Sequence, residues 1–126
     1  MLAVRRHELS VADISWVKWT FGLIVVGVAT VIVRVVLFEN RQAHAFESLD
    51  LGSERDSVVA VAGDPSYITD GTRWVEPAYP RAESELVPGC VEELWYERSL
   101  PLVPSKWSYC FSEDGRLVHK YHWVSW

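Results

Sequence analysis

The chain has little of what most functional signatures require. It holds two cysteines, too few for a structural zinc site built on four Cys and His ligands. Seven glycines and six prolines among 126 residues argue against collagen and against Pro/Gly-rich low-complexity sequence. There is no glycine-rich phosphate loop and no G-x-S-x-G nucleophile elbow. Basic residues are sparse in the outer part: residues 39–126 hold eight Lys/Arg against fifteen Asp/Glu. That balance argues against a nucleic-acid-binding domain, which needs clustered Lys/Arg to neutralise phosphates. One apolar run in the whole chain excludes a multi-pass transporter.

That run is WTFGLIVVGVATVIVRVVLF, Trp19–Phe38, with Arg34 its only charge. Twenty residues at about 1.5 Å each cover about 30 Å, the thickness of a bilayer core. Trp16 and Trp19 stand at its start, where interfacial aromatics belong. Arg34 lies about one turn from the end marked by Phe38, so its side chain can snorkel to the headgroups or contact a partner within the membrane. Arg5, Arg6 and Lys18 precede the run and Arg41 follows it. The Lys/Arg bias therefore puts the N-terminus in the cytoplasm and residues 39–126 outside it. The rival is a cleavable signal, with Ala43-His44-Ala45 as a small-x-small cleavage site. The 20-residue run exceeds the usual 7–15 residues of a signal core, which favours an uncleaved anchor.

Cys90 and Cys110 both fall in the outer part and are even in number, which in an oxidising compartment reads as one disulfide. Closing a loop of about 20 residues stabilises by about 3 kcal/mol. Two buried free thiols are the alternative.

Residues 39–45 read as a polar linker, and 46–126 as one small domain. Ser53 is an N-cap candidate with Asp56 three residues on, an Asp version of the capping box. A helix is predicted over 54–62, with Val58, Val59, Val61 and Ala62 on its apolar face. Gly63 and Pro65 stop it. Residues 64–90 are turn-rich, with Trp74-Val75 a short strand candidate, and such a long loop in a small domain is often functional. Three strands are predicted: 91–99, 106–112 and 116–126, the last two joined by a turn at Asp114-Gly115. In the middle strand Trp107, Tyr109 and Phe111 alternate with Ser108, Cys110 and Ser112. The fold class is α+β: one transmembrane helix, then a helix on an antiparallel sheet.

The segment Phe46…Leu49-Asp50-Leu51-Gly52-Ser53 with Val58, Gly63 and Pro65, then Trp95-Tyr96, then Phe111…Asp114-Gly115-Arg116-Leu117-Val118 form an ordered set of signals. The set resembles the small periplasmic domain of the BamE (SmpA/OmlA) family over residues 46–123. The resemblance implies helices packed on a three-stranded antiparallel sheet that serves as a protein-binding scaffold. Family members in outer-membrane assembly are lipoproteins, whereas this chain carries a transmembrane run.

No catalytic constellation emerges. His119 and His122 are three apart in a predicted strand and point to opposite faces, so they cannot readily share a metal. Glu92, Glu93 and Glu97 read as a solvated strand face. No enzyme activity, cofactor, metal or small-molecule substrate is expected. Seven Trp exceed what one small core buries, and Trp and Tyr are enriched at protein interfaces. Trp74, Tyr79, His122, Trp123 and Trp126 are the candidate partner-binding residues, on an open sheet face and the 64–90 loop; the other reading for Trp123 and Trp126 is contact with the membrane surface or completion of the core. Two functions follow. The first is a bitopic bacterial inner-membrane protein with a periplasmic domain, an accessory subunit of an envelope complex. The second is a membrane-tethered inhibitor, immunity or chaperone-type binder of one protein.

Overall fold

The computed structural model describes residues 11–75, 79–98 and 104–124, with side chains except at 11–14, 74, 75, 79 and 80. The chain divides into two units, Met1–Arg34 and Val35–Trp126. Helix α1, Val11–Ser48, contributes to both. Its segment Ser15–Ser48 is long and apolar enough to cross a membrane, with a mean hydropathy of 2.6 over its most apolar 18 residues. In the first unit every described side chain is exposed, Trp16, Trp19 and Arg34 among them. The hydroxyls of Thr20 and Thr30 donate back to the carbonyls of Trp16 (2.9 Å) and Val26 (2.8 Å). A hydroxyl on an apolar helix is thus satisfied without water.

The expected linker 39–45 is not a linker: α1 runs unbroken to Ser48. Its 38 residues are nearly twice the about 20 that one membrane crossing needs. The reason lies in spacing. Phe38, Gln42, Ala45, Phe46 and Leu49 recur at helical intervals, and all five are buried or pack against the core of the second unit. Phe38, assigned above to the end of the anchor, therefore serves this core.

Helix α2 spans Arg55–Ala62 and buries Val58 and Ala62. Ser53 does not cap it. Glu54 is the N-cap and makes no side-chain cap bond, while the Ser53 hydroxyl donates to the Asp50 carbonyl at 2.7 Å. The Arg55 N–H instead donates to the Gly115 carbonyl at 3.1 Å. The stop works as expected, with Gly63 at φ 93° returning its N–H to the Val59 carbonyl at 2.8 Å. Three side chains then close the end of α2. Arg41 Nε donates to Val61 O (2.9 Å), Gln42 Nε2 to Ala62 O (2.8 Å) and Tyr96 Oη to Gly63 O (2.8 Å). These are the carbonyls that a helix end leaves without intrahelical partners.

Four strands, one more than predicted, form an antiparallel sheet in chain order: β1 (Tyr67–Thr69), β4 (Glu92–Glu97), β5 (Ser105–Phe111) and β6 (Leu117–Val124). Between β1 and β4 lie the short strands β2 (Arg73–Val75) and β3 (Tyr79–Pro80), paired as a separate ribbon, and a single 3-10 turn over Glu83–Glu85. One sheet face carries Leu94, Tyr96, Trp107, Tyr109, Phe111 and Leu117, packed on Ala45, Leu49, Val58 and Ala62. Phe46 meets the Trp107 ring edge-on at 5.3 Å.

Candidate functional site

The second sheet face is not open over β4 and β5. All seven residues of β5 are buried, which one packed face alone cannot achieve, because alternate side chains point opposite ways. On this face β4 presents Glu93 and Trp95, and β5 presents Ser108 and Cys110 opposite them. Among the described residues between β1 and β4, Arg81 and Cys90 lie on it as a cover, with Gly71 beside Cys90.

Arg81 and Cys90 hold that cover. The Arg81 guanidinium donates to the Gly71 carbonyl and to Glu93 Oε1, both at 3.0 Å. It also lies 5.8 Å from the centre of the Trp95 ring. Ser108 Oγ donates to the same Glu93 oxygen at 2.7 Å. The ion pair is fully enclosed, with side-chain exposures of 1% for Arg81 and 0% for Glu93. Glu93 is thus no solvated carboxylate. Its partner lies 12 residues earlier in a stretch whose sequence shows only turns. Cys90 and Cys110 are joined by a disulfide, with Cα atoms 5.6 Å apart. Cys110 is wholly buried and Cys90 half-buried. At the near end of the cover, the Asp70 carboxylate accepts from the backbone N–H (3.0 Å) and hydroxyl (2.5 Å) of Thr72. These bonds hold its pKa below the usual carboxylate value. Trp95, stacked on Tyr67, donates its indole N–H to Thr69 Oγ1 at 3.1 Å.

The outer edge of the sheet is β6. In its pairing with β5, His119, Tyr121 and Trp123 stand opposite Cys110, Ser108 and Lys106 and share their face, while a register shift between Cys110 and Phe111 brings Leu117 opposite Phe111. Lys120 and His122 sit opposite Tyr109 and Trp107 on the other face. The two histidines thus lie on opposite faces. Lys120 does not project to solvent as a free charge: its Nζ donates to the carbonyls of Phe46 (2.5 Å) and Leu49 (2.7 Å) at the end of α1. His122 stacks on Trp107 at 3.5 Å with an 8° interplanar angle. Its Nε2 lies 3.3 Å from Ser105 Oγ, and that hydroxyl is 3.4 Å from Glu39 Oε2. Glu39 in turn pairs with Arg98 at 3.2 Å. Partial burial lowers the His122 pKa, and the Glu39 charge opposes the shift. A serine, a histidine and a carboxylate do meet here, but the carboxylate addresses the serine. In a hydrolytic triad the acid orients the imidazole.

The expected partner residues fall in two places. His122 and Trp123 lie on β6, and Trp123 keeps 39% of its surface exposed. Trp74 and Tyr79 belong to the β2–β3 ribbon of the cover, with side chains outside those described, and Trp126 lies outside the described residues altogether. Sequence reasoning did not find Arg81, Glu93, Ser108, Gln42 and Lys120, which position these elements. The helical spacing of 38, 42, 45, 46 and 49 was readable for Gln42, but a buried ion pair between loop and strand leaves no periodic trace. Comparisons with models of known families, with curated proteins and with solved structures found no match to this chain.

Proposed function

We propose that this is a bitopic inner-membrane protein whose C-terminal domain is periplasmic and binds protein, as an accessory subunit of an envelope or membrane complex. The observation that carries the reading is β6, an eight-residue strand at the sheet edge, attached to a domain behind a membrane-length apolar helix. It is bonded at its first residue, Leu117, to Gly52 and Ser53, and it has no neighbouring strand beyond it among the described residues. Edge strands offer unpaired N–H and C=O groups, and proteins that keep them free of partners guard them with outward charge or proline. β6 has no proline, and its one lysine is turned inward onto α1. Trp123 adds a large aromatic beside that edge, the residue type on which interface energy concentrates. The chain has an α+β, helix-on-antiparallel-sheet architecture, with four strands where the resemblance to BamE-like scaffolds implies three, and a scaffold's function resides in surfaces rather than in chemistry.

The anchor is retained in this reading. Cleavage after Ala45 would cut within α1 and remove Phe38, Arg41, Gln42 and Ala45, which pack on or cap the domain. The second reading, a membrane-tethered inhibitor or chaperone-type binder, uses the same edge and differs in having a single soluble partner.

The test pairs topology with capture. Alkaline phosphatase fused after Trp126 is active in a Gram-negative host if the domain is periplasmic, and inactive if it is not. A photo-crosslinker at position 121, on the same face of β6 as Trp123, captures a defined partner, and adding Trp123→Ala abolishes that capture while leaving the melting temperature within a few degrees. Equal capture with and without Trp123→Ala rejects the edge as the binding surface. A membrane complex in the crosslink supports the first reading, and one soluble protein the second.

A further inference from the structure

We propose that the described residues between Asp70 and Val91 form a strap held shut by the Cys90–Cys110 disulfide, and that thiol–disulfide exchange at Cys90 lifts it from the β4–β5 face while the helix–sheet core stays folded.

Among the residues whose side chains are described, which leave out Trp74, Val75, Tyr79 and Pro80, the strap has almost no apolar hold of its own. None of its described residues belongs to the hydrophobic core. Gly71 and Arg81 are its buried members among the described residues, while 82–86, 88, 89 and 91 are exposed. What fastens it is polar or covalent: Arg81 on Glu93 and Trp95, and the disulfide. A buried ion pair gains little net energy, because its attraction is spent against the desolvation of two charges. The Arg81–Glu93 pair is dry only while the strap covers it, and opening returns both charges to water. The disulfide does not depend on cover in this way, so it decides whether the strap stays. Both limbs meet at it. Cys90 ends the far limb, and Gly71 on the near limb lies so close that a Cβ there would stand 2.5 Å from Cys90 Sγ and 3.6 Å from Cys110 Sγ.

The two sulfurs are not equivalent. Cys110 is wholly buried in a central strand, with β4 and β6 on either side. Cys90 is half-buried in the strap. A thiolate of a dithiol reductant therefore attacks Cys90 Sγ. The S–S bond breaks, its electron pair leaves on Cys110 as thiolate, and that thiolate takes up a proton. The reductant's second thiol, once deprotonated, attacks its own sulfur in the mixed disulfide and expels the Cys90 thiolate, which is protonated in turn. The protein gains two thiols and the reductant becomes a disulfide. β5 keeps its ladders and its packed face, so the core does not need the bond to keep its shape. The uncovered face then carries a carboxylate, a hydroxyl, an indole and a thiol, from Glu93, Ser108, Trp95 and Cys110.

The test uses the full-length protein in detergent micelles, with and without excess dithiothreitol. Alkylation and mass analysis count the thiols, limited trypsin digestion reads the strap, and hydrogen exchange reads the core. Reduction raises cleavage after Arg73 and Arg81 by about tenfold or more, since proteolysis follows the open population. Amides of Leu94, Trp107 and Tyr109 remain protected, and reoxidation restores resistance. Oxidised Glu93→Gln keeps the strap resistant, because the disulfide and not the ion pair is the latch. Cys90→Ser is cleaved without reductant. A disulfide that resists dithiothreitol in the native protein overturns the proposal. So does a reduced protein with an unchanged cleavage pattern, loss of protection throughout β4, β5 and β6, or an oxidised Glu93→Gln strap that opens.

Discussion

Gly71 touches the Cys90 sulfur where any side chain would collide with it. Its φ of 81° also lies in the region that favours glycine. Gly71→Ala meets both obstacles, a 2.5 Å approach to Cys90 Sγ and a strained backbone. The variant is expected to lose about 1–3 kcal/mol in urea unfolding. Gly89, also at positive φ (78°) but with open space around its Cβ position, provides the comparison. Gly89→Ala carries the backbone cost without the collision and loses less.

The Arg81–Glu93 pair gives a second expectation. Removing one partner strands the other charge in a dry site, so Arg81→Met or Glu93→Leu alone costs about 3–5 kcal/mol. Replacing both removes the stranded charge, and the double variant is more stable than either single one. A double-mutant cycle from denaturant midpoints measures the coupling.

Two tyrosines of the core separate by their hydroxyls. Tyr96 donates to Gly63 O, and Tyr96→Phe leaves that carbonyl short of a partner, at a cost of about 1–2 kcal/mol. The Tyr109 hydroxyl is buried with no hydrogen-bond partner among the described residues, so Tyr109→Phe is neutral or stabilising. Burial also raises the Tyr96 pKa to about 12, from 10. The folded state then holds the proton that the unfolded state releases. This contribution is whole below pH 10 and is lost as pH rises toward 12. Ultraviolet titration of the phenolate checks it.

His122 titrates the other way. Its folded pKa lies below the ordinary 6.5, so the unfolded chain binds the proton first. Stability from this group is present above pH 6.5 and declines as pH falls through the folded value. Histidine resonances followed by NMR give a midpoint under 6.5 for His122. Glu39 raises this pKa against the burial effect, so Glu39→Gln moves the midpoint lower still.

Trp107 distinguishes core from surface. It lies in the hydrophobic cluster between Phe46 and His122, and Trp107→Ala costs about 3–5 kcal/mol. Trp123, opposite Lys106 on the other face and partly exposed, costs little by thermal melt.

The parts legible from sequence are those whose cause is local. Gly63 with Pro65 ends α2, Asp114-Gly115 turns the hairpin, and the alternation Trp107, Tyr109, Phe111 marks the core face of β5. What was missed depends on residues far apart. The three residues of β1 form a strand because β4 is beside them. Residues 39–45 stay helical because the sheet and the end of α2 receive Phe38, Arg41, Gln42 and Ala45. The sheet face closed because an arginine in a turn-rich stretch found a glutamate on β4. Partner residues remain expectations of composition, since an excess of aromatics names candidates without locating the surface.

The grip of Lys120 on the Phe46 and Leu49 carbonyls spans 74 and 71 residues. Leu117 adds another long link: its N–H reaches Ser53 O, and its carbonyl receives the Gly52 N–H. The domain's first and last segments are therefore sewn to each other, and loop closure of that length delays folding. In a chain made from its N-terminus, α1 and α2 wait with their core faces uncovered until β6 is made, and a ribosome stalled before Leu117 would hold an unfinished domain.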